Sequence, residues 1–204
     1  MTGRSAAERK DSGCQARIVG ECMEGIKIVG LCVLASVVYG LVQDQITARI
    51  CLEYFTVFHP PVIVSESPTL VALVWGVIAT WWVGVLLGVP LAMVSRLGSR
   101  PALHARDLVR PVAWLMVAVA VGALVAGLAG YIAAKNGWAW PPEWVATQLP
   151  ASKHAPFVAD WWAHQMAYDI GFLGGITLWV CAWLRRRKLA LAAMSKAGVR
   201  THRW

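Results

Sequence analysis

Residues 27–61 read KIVGLCVLASVVYGLVQDQITARICLEYFTVFHPP. From Ile28 to Gln43 there is no charged side chain, and then Asp44, Arg49, Glu53 and His59 follow among aromatics and bulky aliphatics. An apolar run of this length is a membrane span or a buried helix, and the rest of the chain chooses between them. Hydrophobic residues make up 58% and charged residues 15% of the 204, against ~45–50% and ~25% in soluble domains. Twelve tryptophans fit a protein with two membrane interfaces to line. The class is therefore all-α integral membrane, and the length suits one small bundle.

Working outward, three further apolar runs follow the first. The four spans lie at about 26–43, 69–94, 112–134 and 165–184, in a single membrane domain covering 1–204. Ser67-Pro68 and Arg110-Pro111 each supply a helix start with proline in the first helical position before spans two and three. Pro60-Pro61 ends whatever helix follows span one, and Pro90 is expected to kink span two. No small-x-small cleavage site follows the first run, which reads as an uncleaved span.

Sixteen of the nineteen Lys and Arg residues fall in the N-terminal tail, the 95–111 segment and the C-terminal tail. The positive-inside rule then places both termini, with tails 1–25 and 186–204, in the cytoplasm. Segments 44–68 and 135–164 form two ordered extracytoplasmic loops. The charge of +8 is clustered beside apolar runs rather than along a soluble face, which argues against nucleic acid. The partner this composition demands is the lipid bilayer. The glycine pattern Gly84-x3-Gly88 and the glycines 171, 174 and 175 favour close helix contact, within the bundle, in a homo-oligomer or in a larger membrane complex. The cysteines 14, 22, 32, 51 and 181 form no CxxC pair and read as reduced thiols. Trp81 and Trp82 read as packing on helices or lipid, the Arg185–Lys188 run as a headgroup anchor, and stretch 142–149 as lying on the bilayer.

Depth turns the opening cluster into a candidate site. A helix from Asp169 to Arg185 rises ~24 Å and one from Lys27 to Asp44 ~26 Å at ~1.5 Å per residue, both short of a ~30 Å hydrocarbon core. Asp44 and Asp169 then sit at or below the outer boundary, where acids face a bundle interior or a wet cavity. Gln45, Arg49 and Glu53 share a helical face, as do Asp160, His164 and Tyr168. Three chemistries fit these stripes. Asp44, Arg49, Glu53, Tyr168 and Asp169 are candidate ligand-binding residues, with His164 or His59 as a base. Glu53, His59, Asp160 and His164 are candidate ligands for a transition metal, Zn, Fe or Mn. The third is a structural network in which Arg49 neutralises Glu53 or Asp44 and Tyr168 donates to Asp160 or Asp169. His154, in the same outer segment, has no partner by spacing, and His104 and His202 read as solvated.

The pattern D-Q-x-T-A-R-x-x-x-E-Y-F-T-x-x-H-P at 44–60, followed by WGVIATWWVGVLLGVPLA, resembles a group of bacterial inner-membrane proteins of no known activity. The resemblance covers the first half of the chain and implies the bacterial inner membrane, without implying a reaction. Two functions stay open: a binding or catalytic protein with its site at the outer membrane edge, and a structural or accessory subunit whose polar cluster only fixes the loops.

Overall fold

The computed structural model describes residues 6–196, with side chains from Val19 onward and at Gln15. The expectations for Cys14, His202 and the outermost parts of both tails lie outside these. Among the described residues there are helices and no strands. They are α1 (Ala6–Ile50), α2 (Glu53–Thr56), α3 (Pro68–Ile78), α4 (Trp81–Arg96), α5 (Ala105–Lys135), α6 (Glu143–Ala146), a 3₁₀ turn at Ala151–Lys153, and α7 (His154–Lys196). Four stretches are long and apolar enough to cross a membrane: Val19–Ile50, Pro68–Arg96, Ala105–Lys135 and Ala151–Lys196.

Hydrogen bonds from the loops to the helices sort the bundle into two ends. Arg96 pairs with Glu21, the Ala105 N–H donates to Glu24 at 3.3 Å, and Arg185 pairs with Asp107 at 3.1 Å. This is the proximal end, where α1 enters and α7 leaves. Segments 51–67 and 136–153 make the distal end.

Glycine sets the closest crossing. A Cβ on Gly84 would stand 2.5 Å from the Val33 Cα, and one on Gly76 would stand 2.8 Å from the Leu41 backbone. The second span therefore lies against α1 with nothing between the two backbones. Gly84→Ala is expected to cost about 1–3 kcal/mol, the usual penalty of overpacking, read as a lower midpoint in thermal unfolding. An unchanged midpoint would mean that the two backbones do not touch at this crossing. Along α7, a Cβ on Gly175 would press on the Leu87 side chain, whereas Gly171 has open space above it.

The second span departs from the expected single helix. It is continuous in hydropathy, but the helix stops at Ile78 and restarts at Trp81. Thr80 leaves helical φ, at −122°, and its Oγ1 donates back to the Gly76 carbonyl at 2.5 Å. Such back-bonding by threonine bends helices, and here Gly76 and Gly84 pin both halves to α1. The helix runs through Pro90 instead, so the interruption falls at Ala79–Thr80, eleven residues before the proline.

Ser67 starts α3 as expected, accepting from the Leu70 N–H at 3.5 Å with Pro68 in the first position. Arg110-Pro111 does not start α5. The helix begins at Ala105, where the Asp107 carboxylate accepts the His104 N–H at 2.9 Å. Pro111 has no N–H for the Asp107 carbonyl, and Arg185 Nη1 donates to that carbonyl at 3.1 Å.

The proximal loop is built on Arg186, which the sequence reading placed among headgroup anchors. It is 4% exposed and its guanidinium donates to the carbonyls of Val94, Leu97, Arg100 and Pro101. Gly98, at φ +88°, supplies the left-handed residue that lets this loop turn.

Candidate functional site

The distal half of α1 and the first half of α7 meet across 120 residues of sequence. His164 Nε2 lies 3.1 Å from Asp44 Oδ1, while His164 Nδ1 donates to the Asp160 carbonyl at 2.8 Å. Asp44 is 4% exposed and the His164 side chain 13%. Both ring nitrogens therefore face acceptors. One proton has to lie between Nε2 and Oδ1, which makes this pair a proton-bearing group inside the bundle.

The pair faces a cavity of about 60 Å³ lined also by Ser36, Tyr39, Gln43, Thr80 and Tyr168. The helix break forms one wall. The Ala79 carbonyl, at the end of α3, accepts the Tyr168 hydroxyl at 3.2 Å. Irregular backbone at membrane depth is tolerated where it is buried in protein or lines a cavity, and here Ala79 and Thr80 line the cavity.

Aromatic rings pack on His164 from the distal side. Tyr54 stacks on His164 with centroids 4.6 Å apart, and Phe55 meets it edge-on at 5.7 Å. Above them Phe58 stacks on Trp144 at 5.6 Å and packs against Phe157 and His59. The short helix α2 exists to carry these rings. Its sequence EYFT puts Tyr54 and Phe55 inward, both buried.

Several sequence candidates take other roles. Arg49 reaches neither Glu53 nor Asp44, because α1 ends at Ile50 and the i, i+4 register ends with it. Its guanidinium donates to Gln45 Oε1 at 2.6 Å and Thr69 Oγ1 at 2.9 Å, tying α1 to α3. Glu53 pairs instead with Lys153, at 3.1 Å, and accepts from Cys51 Sγ at 3.4 Å. His59 Nδ1 donates to the Tyr54 carbonyl at 2.9 Å. Asp169 is exposed and accepts from Gln165 at 3.1 Å. Tyr168 donates to Ala79 rather than to an aspartate. His154 Nε2 sits 3.3 Å from the carbonyls of Ala146 and Leu149, fastening the distal loop.

Asp160 is the exception. It is 1% exposed and neither carboxyl oxygen has a partner. The nearby Cys51 N–H is donated to the Thr47 carbonyl at 2.9 Å. Among the described residues no three His, Cys, Asp or Glu side chains are placed as a metal-ligand set.

Sequence reasoning missed Tyr39, Gln43 and Thr80. Tyr39 and Gln43 are four apart and Gln43 directly precedes Asp44, so the polar stripe could have been followed down α1 by spacing.

The distal loops carry a pH dependence. Burial alone would raise the Glu53 carboxyl, but hydrogen bonds from its own backbone N–H, Lys153 and Cys51 outweigh it and hold the group below its ordinary 4.5. Burial lowers His59 below its ordinary 6.5. Both groups bind fewer protons folded than unfolded, so both favour the folded state less as pH falls. His59 loses its contribution first, as pH drops below 6.5, and Glu53 later, as pH falls below 4.5 and through its depressed folded value. Glu53 and Lys153 are half-exposed, so their pair contributes about 1 kcal/mol or less. Hydrogen exchange of 143–153, corrected for intrinsic rates, should rise on acidification before that of α5. In Lys153→Met the lower part of that window should shrink. Equal protection of loop and α5 across the range would sink this assignment.

Fold and site together define a multi-pass α-helical membrane protein with a buried acid–imidazole pair beside a small cavity. No protein-family model, no curated protein and no solved structure matches the chain.

Proposed function

We propose that the protein is a membrane-embedded binding protein whose site is the Asp44–His164 pair and its cavity. The observation that carries this reading is a proton-bearing acid–imidazole pair left facing open space at a helix break. Ionisable residues held at membrane depth mark ligand or proton sites far more often than structural ones. The charge asymmetry between the two ends supports an orientation with both termini cytoplasmic and the aromatic lid outside. The resemblance of residues 44–60 supports a bacterial inner membrane.

The test is extraction of the protein purified in mild detergent, followed by mass spectrometry for small molecules and elemental analysis for metals. A compound near stoichiometric in the wild type and depleted in both His164→Gln and Asp44→Asn supports the reading. Variants that change only the unfolding midpoint, with no compound lost, leave the pair as part of the scaffold of an accessory subunit. A stoichiometric metal lost with His164 would move the chemistry to metal binding.

A further inference from the structure

On the distal side of the cavity around Asp44 and His164, Tyr54 and Phe55 pack on His164, and Phe58 stacks on Tyr54. On the proximal side lies the apolar cluster of Ile28, Cys32, Leu91, Leu108 and Val112. On the cavity's lateral side the wall is thin. Tyr39 and Gln43 line the cavity on one face and, on the other, a groove of 540 Å³ between α1, α5 and α7. A single 3.3 Å hydrogen bond, from the Tyr39 hydroxyl to Gln43 Oε1, holds these two side chains together.

The groove is of ligand size, within the ~300–1,000 Å³ range of small-molecule pockets. Its rims are the exposed side chains of Val42, Ile46, Leu124 and Leu128, and the small Ala123 and Gly127 leave space between them. Asp160, with both carboxyl oxygens unpartnered, lines it too. A buried acceptor without a donor is costly, and a donor arriving from the groove would satisfy it. The cavity itself holds about two waters at ~30 Å³ each, which is room for a head group and no more.

We propose that this groove is the lateral entrance to the Asp44–His164 cavity, and that its ligand is a membrane-dissolved amphiphile, a long apolar tail bearing a hydrogen-bond-donating head. The inference rests on the reading of the Asp44–His164 cavity as a binding site. The tail lies in the groove between α1 and α5. The head passes Asp160 on the groove wall and then the Tyr39–Gln43 pair, and donates to Asp44 in the cavity. A head that donates a hydrogen bond is a hydroxyl or an ammonium.

The experiment uses the full chain in detergent micelles and a dodecanol carrying a mid-chain diazirine. After illumination, crosslinks are mapped by peptide mass spectrometry. Competitors are dodecanol, dodecylamine and dodecyl methyl ether. The expected result is labelling on 42–50 and 120–128, displaced by the alcohol or the amine. Whichever of these competes better identifies the head as neutral or cationic. The ether, which lacks a donor, should compete about tenfold more weakly, the loss of one hydrogen bond to a buried acceptor. Ala120→Trp, which fills the groove from an exposed position, should abolish the site-specific labelling. Leu124→Trp is the second plug should the first fold poorly. Val89→Trp, in the separate groove between α1 and α4, should leave it intact.

Equal competition by ether and alcohol would overturn the donor head. Wild-type labelling in both plugged variants would overturn the entrance. The double variant Asp44→Leu/His164→Phe separates the two claims. If it alone abolishes competition while the plugs do not, the cavity binds a ligand that arrives elsewhere, and only this inference falls. If the plugs act and the double variant competes like wild type, the groove ends at the surface, and the cavity reading falls with it.

Discussion

Asp44→Ala will lower the unfolding free energy by about 3–5 kcal/mol, the cost of removing one partner from a buried pair. The reason is local. His164 Nδ1 is committed to the Asp160 carbonyl at 2.8 Å, so the ring cannot turn to find another acceptor for Nε2. Tyr54 stacked at 4.6 Å and Phe55 edge-on hold it in place. What remains is a ring nitrogen beside an apolar side chain and a slightly larger cavity. His164→Ala should cost as much, since it strips Asp44 of its partner and leaves a hole under the aromatic lid.

Asp44→Leu/His164→Phe should recover most of that loss, because a buried ion pair replaced by packed apolar groups is often neutral in stability. Chemical denaturation in mixed micelles measures all four proteins as a double-mutant cycle, and a coupling energy near zero would show that the two groups do not form a pair. The double variant also isolates function: a folded bundle that binds nothing is the outcome expected of a binding site.

Arg186→Met should be the next most damaging change. Four carbonyls, those of Val94, Leu97, Arg100 and Pro101, accept from this one guanidinium, at 2.5–2.9 Å. Each hydrogen bond to a charged group contributes about 1.5–3 kcal/mol, and the four are lost together, so the loss should exceed about 3 kcal/mol even after discounting for their coupling. Arg186→Lys should not rescue it. An ammonium has three donors on one nitrogen and cannot span carbonyls from both the end of α4 and the following loop. Limited proteolysis between residues 97 and 104, together with the unfolding midpoint, is the measurement. A lysine variant as stable as the wild type would mean that charge, not the fan of hydrogen bonds, closes this loop.

Asp44 and Arg186 differ in how far sequence reasoning reaches them. Asp44 was legible by depth, since a helix from Lys27 places it at membrane level. His164 and Tyr168 were legible by spacing, as neighbours on one face of the last span. Arg186 was hidden, because a basic run after a span has the same composition whether it touches lipid or its own loop. Glu53 was assigned to Arg49 because the helical register was extended three residues too far. The chain turns at Cys51 and Leu52, and the acid meets Lys153 from a segment a hundred residues later.

The sequence by itself determined that four runs are long and apolar enough to span, the cap at Ser67 and the shared helical face of Asp160, His164 and Tyr168, because hydropathy and helical periodicity are properties of neighbouring residues. The tertiary structure decided the rest. It broke the second span at Thr80, where glycines press both halves onto α1. It joined Asp44 to His164, left Asp160 without a partner, and set Tyr39 and Gln43 between a cavity and a groove. Each of these depends on which faces of distant helices meet, and that is settled by close packing across the whole bundle rather than by any local run of residues.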